Sequence, residues 1–165
     1  MSFIPLHIYS GFSFLRSGLV AKKIPLLAKK YGYGSIGICD VSTLSGYAPF
    51  TESCKVNGVT PFYLMDCEVL EGTISAFVEN EEGYRNLLKI SFLASKNELT
   101  LEFLKSHQKG LTFILNSETT FLYRDYKEKK EEEIAQRLSY FFHDFSSLYL
   151  GIPYLPKNDN FISFL

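Results

Sequence analysis

Two periods of apolar and polar residues alternate along this chain, one strand-like and one helical. FIPLHIY (3–9) reads as a strand, and VAKKIPLLAKKY (20–31) as a helix on which Leu19, Leu26, Leu27 and Tyr31 share a face until Gly32 and Gly34 stop it. SIGICD (35–40) is a short apolar run closed by an acid, as in a buried parallel strand whose carboxyl end faces a site. YAPFTESCKVNG (47–58) predicts a helix ended at Asn57-Gly58. TPFYLMDCEVL (60–70) and TISAFVE (73–79) predict a hairpin turned at Glu71-Gly72. Asn80 caps a helix over 80–95, with Glu81 and Glu82 in its first turn and Tyr84, Leu87, Leu88 and Phe92 at helical spacing. A helix near 98–107 and strands at 110–116 and 146–152 follow. The charged run KEKKEEE (127–133) pairs Lys127 with Glu131 and Lys129 with Glu133 at i,i+4 and continues into IAQRLSYFF, which predicts the solvated face of one helix.

Strands alternating with helices predict an α/β domain with a largely parallel sheet, open or curled into a barrel. A closed eight-fold barrel needs about 250 residues; this chain has 165. The chain shows no internal repeat, low-complexity block or linker, so 1–165 is expected to be one segment. Its apolar ending, FISFL, has no obvious stop, and the expectation is the amino-terminal part of something longer.

Composition narrows the function. Apolar residues make up 46% and charged residues 21%, a globular balance, and fifteen Phe with eleven Tyr suit a sheet. A net charge of −1 gives no electrostatic footprint for nucleic acid, so no direct binding to it is expected. Cys39, Cys54 and Cys67 are odd in number, widely spaced and contain no CxxC, so they suggest neither a disulfide framework nor a zinc ribbon, and a reducing cytoplasm is expected. The amino terminus has no basic stretch followed by a long apolar run, so neither a signal peptide nor a membrane span is expected. Cys39 beside Asp40 has no histidine placed to activate it, His107 and His143 lack partners at metal spacing, and no Walker, GxGxxG or GxSxG motif occurs.

Four blocks in order carry a resemblance: MSFIPLHIYSGFSFLRSG, YGYGSIGICDVSTLSGYAPF, NGVTPFYLMDCEV and FVENEEGYRNLLKISFLAS. Together they resemble the PHP (polymerase and histidinol phosphatase) domain that opens the bacterial DNA polymerase III alpha subunit. The resemblance covers roughly residues 1 to 117 and, more faintly, 138 to 152, and NEEGYRNLLK is its most specific phrase. It implies a distorted, TIM-like (β/α)7 barrel, only part of which is expected in this length.

Active PHP domains are phosphoesterases that use two or three divalent metals on imidazoles and carboxylates to activate water and clamp phosphate. Carried over by position, the resemblance keeps His7 and Asp66 as vestigial ligand positions. Tyr9 stands where the second histidine of a His-x-His pair belongs, Arg16 where an aspartate belongs, Val41 where a histidine follows Asp40, and Thr73 where a histidine opens the next strand. No metal, cofactor or catalytic residue is therefore expected in this segment, and Tyr9 is expected to fill the space of a lost ligand. The implied role is architectural, within a polymerase whose nucleotidyl transfer uses Mg²⁺ on carboxylates beyond Leu165. Its implied partners are the rest of the polymerase chain and a proofreading exonuclease or other replisome subunit. The competing reading is a free-standing PHP-type metal-dependent phosphoesterase; a third is a degenerate stand-alone binding module.

Overall fold

The computed structural model describes residues 3–152. Its frame is a five-stranded mixed sheet whose spatial order is the chain order: β1 (Ser35–Val41), β2 (Thr60–Val69), β3 (Gly72–Val78), β4 (Leu111–Thr120) and β5 (Leu148–Gly151). β1 runs parallel to β2 and β4 to β5, while β3 is antiparallel to both its neighbours. The fold is thus α/β as expected, but less parallel than the alternation of strands and helices suggested. The reversal comes from the tight turn at Leu70-Glu71, since a parallel return would need a crossover of a dozen or more residues. The sheet does not close among the described residues.

Strand alternation sorts the side chains. One face carries Ile36, Ile38, Met65, Cys67, Ile74, Ala76, Phe113 and Leu115 into the main core. Helices cover it: α1 (Ile24–Lys30, after a 3₁₀ turn at Ala21–Lys23), α2 (Tyr47–Asn57) and α3 (Glu81–Ala94) pack with α4 (Leu101–Ser106). α3 begins where expected, with the Asn80 side chain accepting from the Gly83 amide. Gly83 lies so close to the β3–β4 connection that a Cβ there would stand 1.8 Å from the Gly110 carbonyl oxygen.

Residues 3–9 form an extended segment rather than a regular strand. Pro5 and Ile8 accept from the amides of Gly37 and Cys39 at 2.8 and 2.9 Å. Pro5 has no N–H to give a full ladder. The segment crosses so near β1 that a Cβ on Gly37 would lie 2.1 Å from the Leu6 carbonyl oxygen.

The charged run 127–133 is not one helix. α5 (Phe121–Lys127) ends, Lys129 takes a left-handed backbone (φ 58°), and α6 (Glu131–Asp144) turns back. The i,i+4 pairs are replaced by a Lys130–Glu128 pair at 2.7 Å. The reversal brings Phe121 against Phe141, ring centroids 5.6 Å apart, and lets Arg137 of α6 reach the buried Asp125 of α5 at 2.7 Å. A continuous helix would leave those apolar residues apart and that carboxylate without its α6 partner. Among the described residues no helix is long and apolar enough to cross a membrane. The FISFL ending lies outside them.

Candidate functional site

β1, β2, β4 and β5 all end at one rim of the sheet, and β3 begins there. The rim surrounds a cavity of about 290 Å³ whose walls include His7, Tyr9, Arg16, Val41, Asp66 and Thr73. All six positions singled out in the sequence therefore meet in one place. Register explains it: Val41 pairs with Asp66 and Glu68 with Thr73, so their side chains share the sheet face opposite the main core.

Asp66 is the hub. Its side chain is 1% exposed, and four side chains converge on it. His7 Nε2 lies 2.9 Å from Oδ2, the Tyr9 hydroxyl donates to Oδ2 at 2.6 Å, the Ser75 hydroxyl donates to Oδ1 at 2.5 Å, and the Cys39 thiol donates to Oδ1 at 3.2 Å. Asn116 Nδ2 in turn donates to Ser75 Oγ at 3.0 Å. Burial alone would push the Asp66 carboxyl up, but hydrogen bonds and charge from His7, with the hydroxyls of Ser75 and Tyr9, outweigh it and hold the group below its ordinary range. An ionised carboxylate only accepts, so His7 presents its hydrogen on Nε2. Burial and the neighbouring Asp66 charge push the Tyr9 hydroxyl and the Cys39 thiol upward, so both stay protonated and act as donors.

Asp40 takes no part in this cluster. It lies one residue before Val41, hence on the other sheet face, where it is fully buried. There it accepts from the Ser10 amide at 2.7 Å, the Ser10 hydroxyl at 2.6 Å and the Ser13 hydroxyl at 2.5 Å. This fastens the 10–17 loop, which carries Arg16 to the cavity wall, 3.3 Å from Glu68.

Cys39, Ser75 and Asn116 are members that the sequence reading missed. Cys39 joins His7 and Asp66 in a group with one donor atom from each within 4.8 Å of the others, its thiol given to Asp66 and not to the imidazole. The two-residue period of β1 and β2 was the available signal, but the β1–β2 register was not legible. Among the described residues this is the sole set of three metal-capable side chains. His107 instead stacks on Phe103 at 4.0 Å.

These three donors would suit at most one cation. Two features bear on whether they do. Every Asp66 oxygen already accepts from protein donors, and the wall adds an apolar Val41 and the Arg16–Glu68 ion pair, with Glu118 also on it. A carboxylate offers about four lone-pair sites, so a cation would have to displace donors already in place.

Comparison with known proteins gives a match to the PHP domain over residues 5–151. The DNA polymerase III subunit alpha of Bacillus subtilis is 29% identical over 74% of this chain and 12% of its own length. That of Streptococcus pyogenes is 30% identical over 70% of this chain and 12% of its own length, and that of Chlamydia muridarum 31% identical over 67% and 11%. The chain thus spans about an eighth of the length of these relatives. A solved structure from Bifidobacterium adolescentis, assigned as a metal-dependent phosphoesterase, is similar at TM-score 0.47 and 19% identity, over 56% of this chain and 32% of that one.

Proposed function

Because the chain belongs to the PHP domain family, we propose that it is a PHP module of the kind that opens a bacterial DNA polymerase III alpha subunit, with its hydrolase site eroded and its role structural. On this reading it works in the cytoplasm as part of the DNA replication machinery. It supports a chain whose nucleotidyl transfer and Mg²⁺ belong to other residues, and it faces the rest of that chain and replisome subunits such as a proofreading exonuclease. The segment itself contributes no catalytic residue and no cofactor.

The observation that carries the reading is the occupied state of Asp66. Where an active PHP site would direct carboxylate lone pairs at cations, this one directs them at His7, Tyr9, Cys39 and Ser75. On this reading Tyr9 stands where the family has a histidine, and its hydroxyl takes up a lone pair of Asp66. On the same reading Arg16 holds an aspartate's place on the wall, where its guanidinium pairs with Glu68 at 3.3 Å and offers no lone pair to a cation.

The competing reading, a PHP-type phosphoesterase, draws on the His7, Cys39 and Asp66 group. Elemental analysis of protein purified without chelator, together with a p-nitrophenyl phosphate assay in added Mn²⁺ or Zn²⁺, separates the two. The structural reading expects less than stoichiometric metal and no turnover above the metal-only background. One or more equivalents of bound metal with turnover that falls in Asp66→Asn overturns it.

A further inference from the structure

The phrase NEEGYRNLLK has no part in the rim site, yet its residues divide cleanly by task. Asn80 caps α3, Gly83 packs on Gly110, Asn86 Nδ2 donates to the Lys109 carbonyl at 2.9 Å, and Leu87 is fully buried. These fix the helix to the sheet. Tyr84 and Leu88 point the other way, and with Phe92 they form an i, i+4, i+8 stripe along the outer side of α3, exposed by 40, 46 and 59%.

A hollow lies at each end of that stripe. One, of about 570 Å³, opens between α2 and α3 over Tyr47, Tyr63 and Tyr84. The other, of about 450 Å³, opens between α3 and α4 and is walled by Leu88, Phe92, Leu93 and Phe103. Tyr84 and Phe92 are two helical turns apart, about 12 Å along the axis at 1.5 Å per residue. Tyr84 lines the first hollow and Phe92 the second, so the apolar stripe runs from one to the other.

The charges beside the stripe have one sign in excess. Lys55 borders the first hollow, Lys89 the second, and Lys96 stands 4.2 Å over the Phe92 ring. None of the three forms an ion pair among the described residues. The acids of the α3 first turn are already paired, Glu81 with Arg85 at 2.6 Å and Glu82 with Lys109 at 3.1 Å. Glu52 on the α2 wall is the carboxylate set against those three cations.

We propose that the outer face of α3 is a docking groove for an amphipathic helix of a partner protein, with apolar anchors in the two hollows and acidic residues against Lys55, Lys89 and Lys96. This deepens the structural reading by naming a surface for it. Metal analysis tests that reading and peptide binding tests this one, so the two fail separately.

The probe is a fluorescein-labelled helical peptide with leucines at i, i+4, i+7 and i+11 and flanking glutamates, compared by fluorescence anisotropy with the same peptide carrying flanking lysines. The acidic peptide binds about tenfold more tightly, as expected where complementary charge borders an apolar groove. Leu88→Asp and Phe92→Asp each weaken it by about tenfold or more, with unchanged thermal unfolding, as for central anchors. The double variant Lys89→Glu, Lys96→Glu shifts preference toward the lysine-flanked peptide. Equal binding of both peptides, or binding indifferent to the two aspartate variants, overturns the proposal. So does a wild-type dimer that Leu88→Asp makes monomeric, which assigns the groove to a second copy. Cross-links from Lys89 or Lys96 to Lys157 of the same chain assign it to residues 153–165, with the same consequence.

Discussion

The Tyr9 hydroxyl lies 2.6 Å from Asp66 Oδ2 and donates to it. A phenol thereby occupies a carboxylate lone pair at a position where the PHP resemblance places an imidazole. The two side chains come from segments 57 residues apart and meet because residues 5–8 lie along β1, which pairs in register with β2.

Tyr9→Phe removes that donor and leaves three others on a buried charge. The expected loss is about 1.5–3 kcal/mol, the range for a hydrogen bond to a charged group. Urea denaturation of Tyr9→Phe, Asp66→Asn and the double variant checks it. The double variant should be less destabilised than the sum of the singles, since both remove the same bond.

Acid stability carries the mark of Asp66. Its carboxyl is held below its ordinary range, so the stabilisation is present in full above the unfolded value, near pH 4. It is lost as pH falls through the lower folded value. Thermal unfolding followed from pH 6 to pH 3 should show a shallower acid limb in Asp66→Asn than in the wild type. Asp125, lowered by Arg124 and Arg137 against the opposing effect of burial, contributes in the same direction and remains in both proteins.

If donor count limits metal binding, as the proposed reading holds, adding donors should add metal. The triple variant Tyr9→His, Arg16→Asp, Val41→His converts three cavity-wall positions to ligands and removes the guanidinium. Zinc or manganese bound after dialysis, read by elemental analysis, should rise from below one equivalent to one or more. An unchanged metal content would mean that the remaining rim geometry, and not donor count, limits binding.

Gly83→Ala tests the seat of α3. The added methyl meets the Gly110 carbonyl, so the helix must lift from the sheet at an expected loss of about 1–3 kcal/mol. Chemical denaturation of this variant against Gly18→Ala, where an added Cβ meets nothing within 4 Å, isolates the contact.

Much of this fold was legible because local signals agreed with tertiary demands. The apolar run ending in Asp40 became β1, and the Asn80 cap with two acids after it became the start of α3. The misread stretch, 127–133, shows the opposite case. Local i,i+4 pairing favoured one helix, but burial of Phe121 and Phe141 and the pairing of Arg137 with Asp125 required a reversal. At the site, His7, Tyr9, Arg16, Val41, Asp66 and Thr73 were singled out by the PHP resemblance carried over by position, and the structure places all six on one cavity wall. The Cys39 and Ser75 contributions could not be read in that way, because they depend on register between strands, which no single strand records.

The Asp40 clamp separates shape from chemistry at this rim. The loop bearing Arg16 is tied to the sheet by a carboxylate on the far face, through hydroxyls and an amide of the chain itself. The anchorage of that loop therefore rests on hydrogen bonds made on the opposite side of the sheet, and substitutions among the cavity-lining side chains leave those bonds in place.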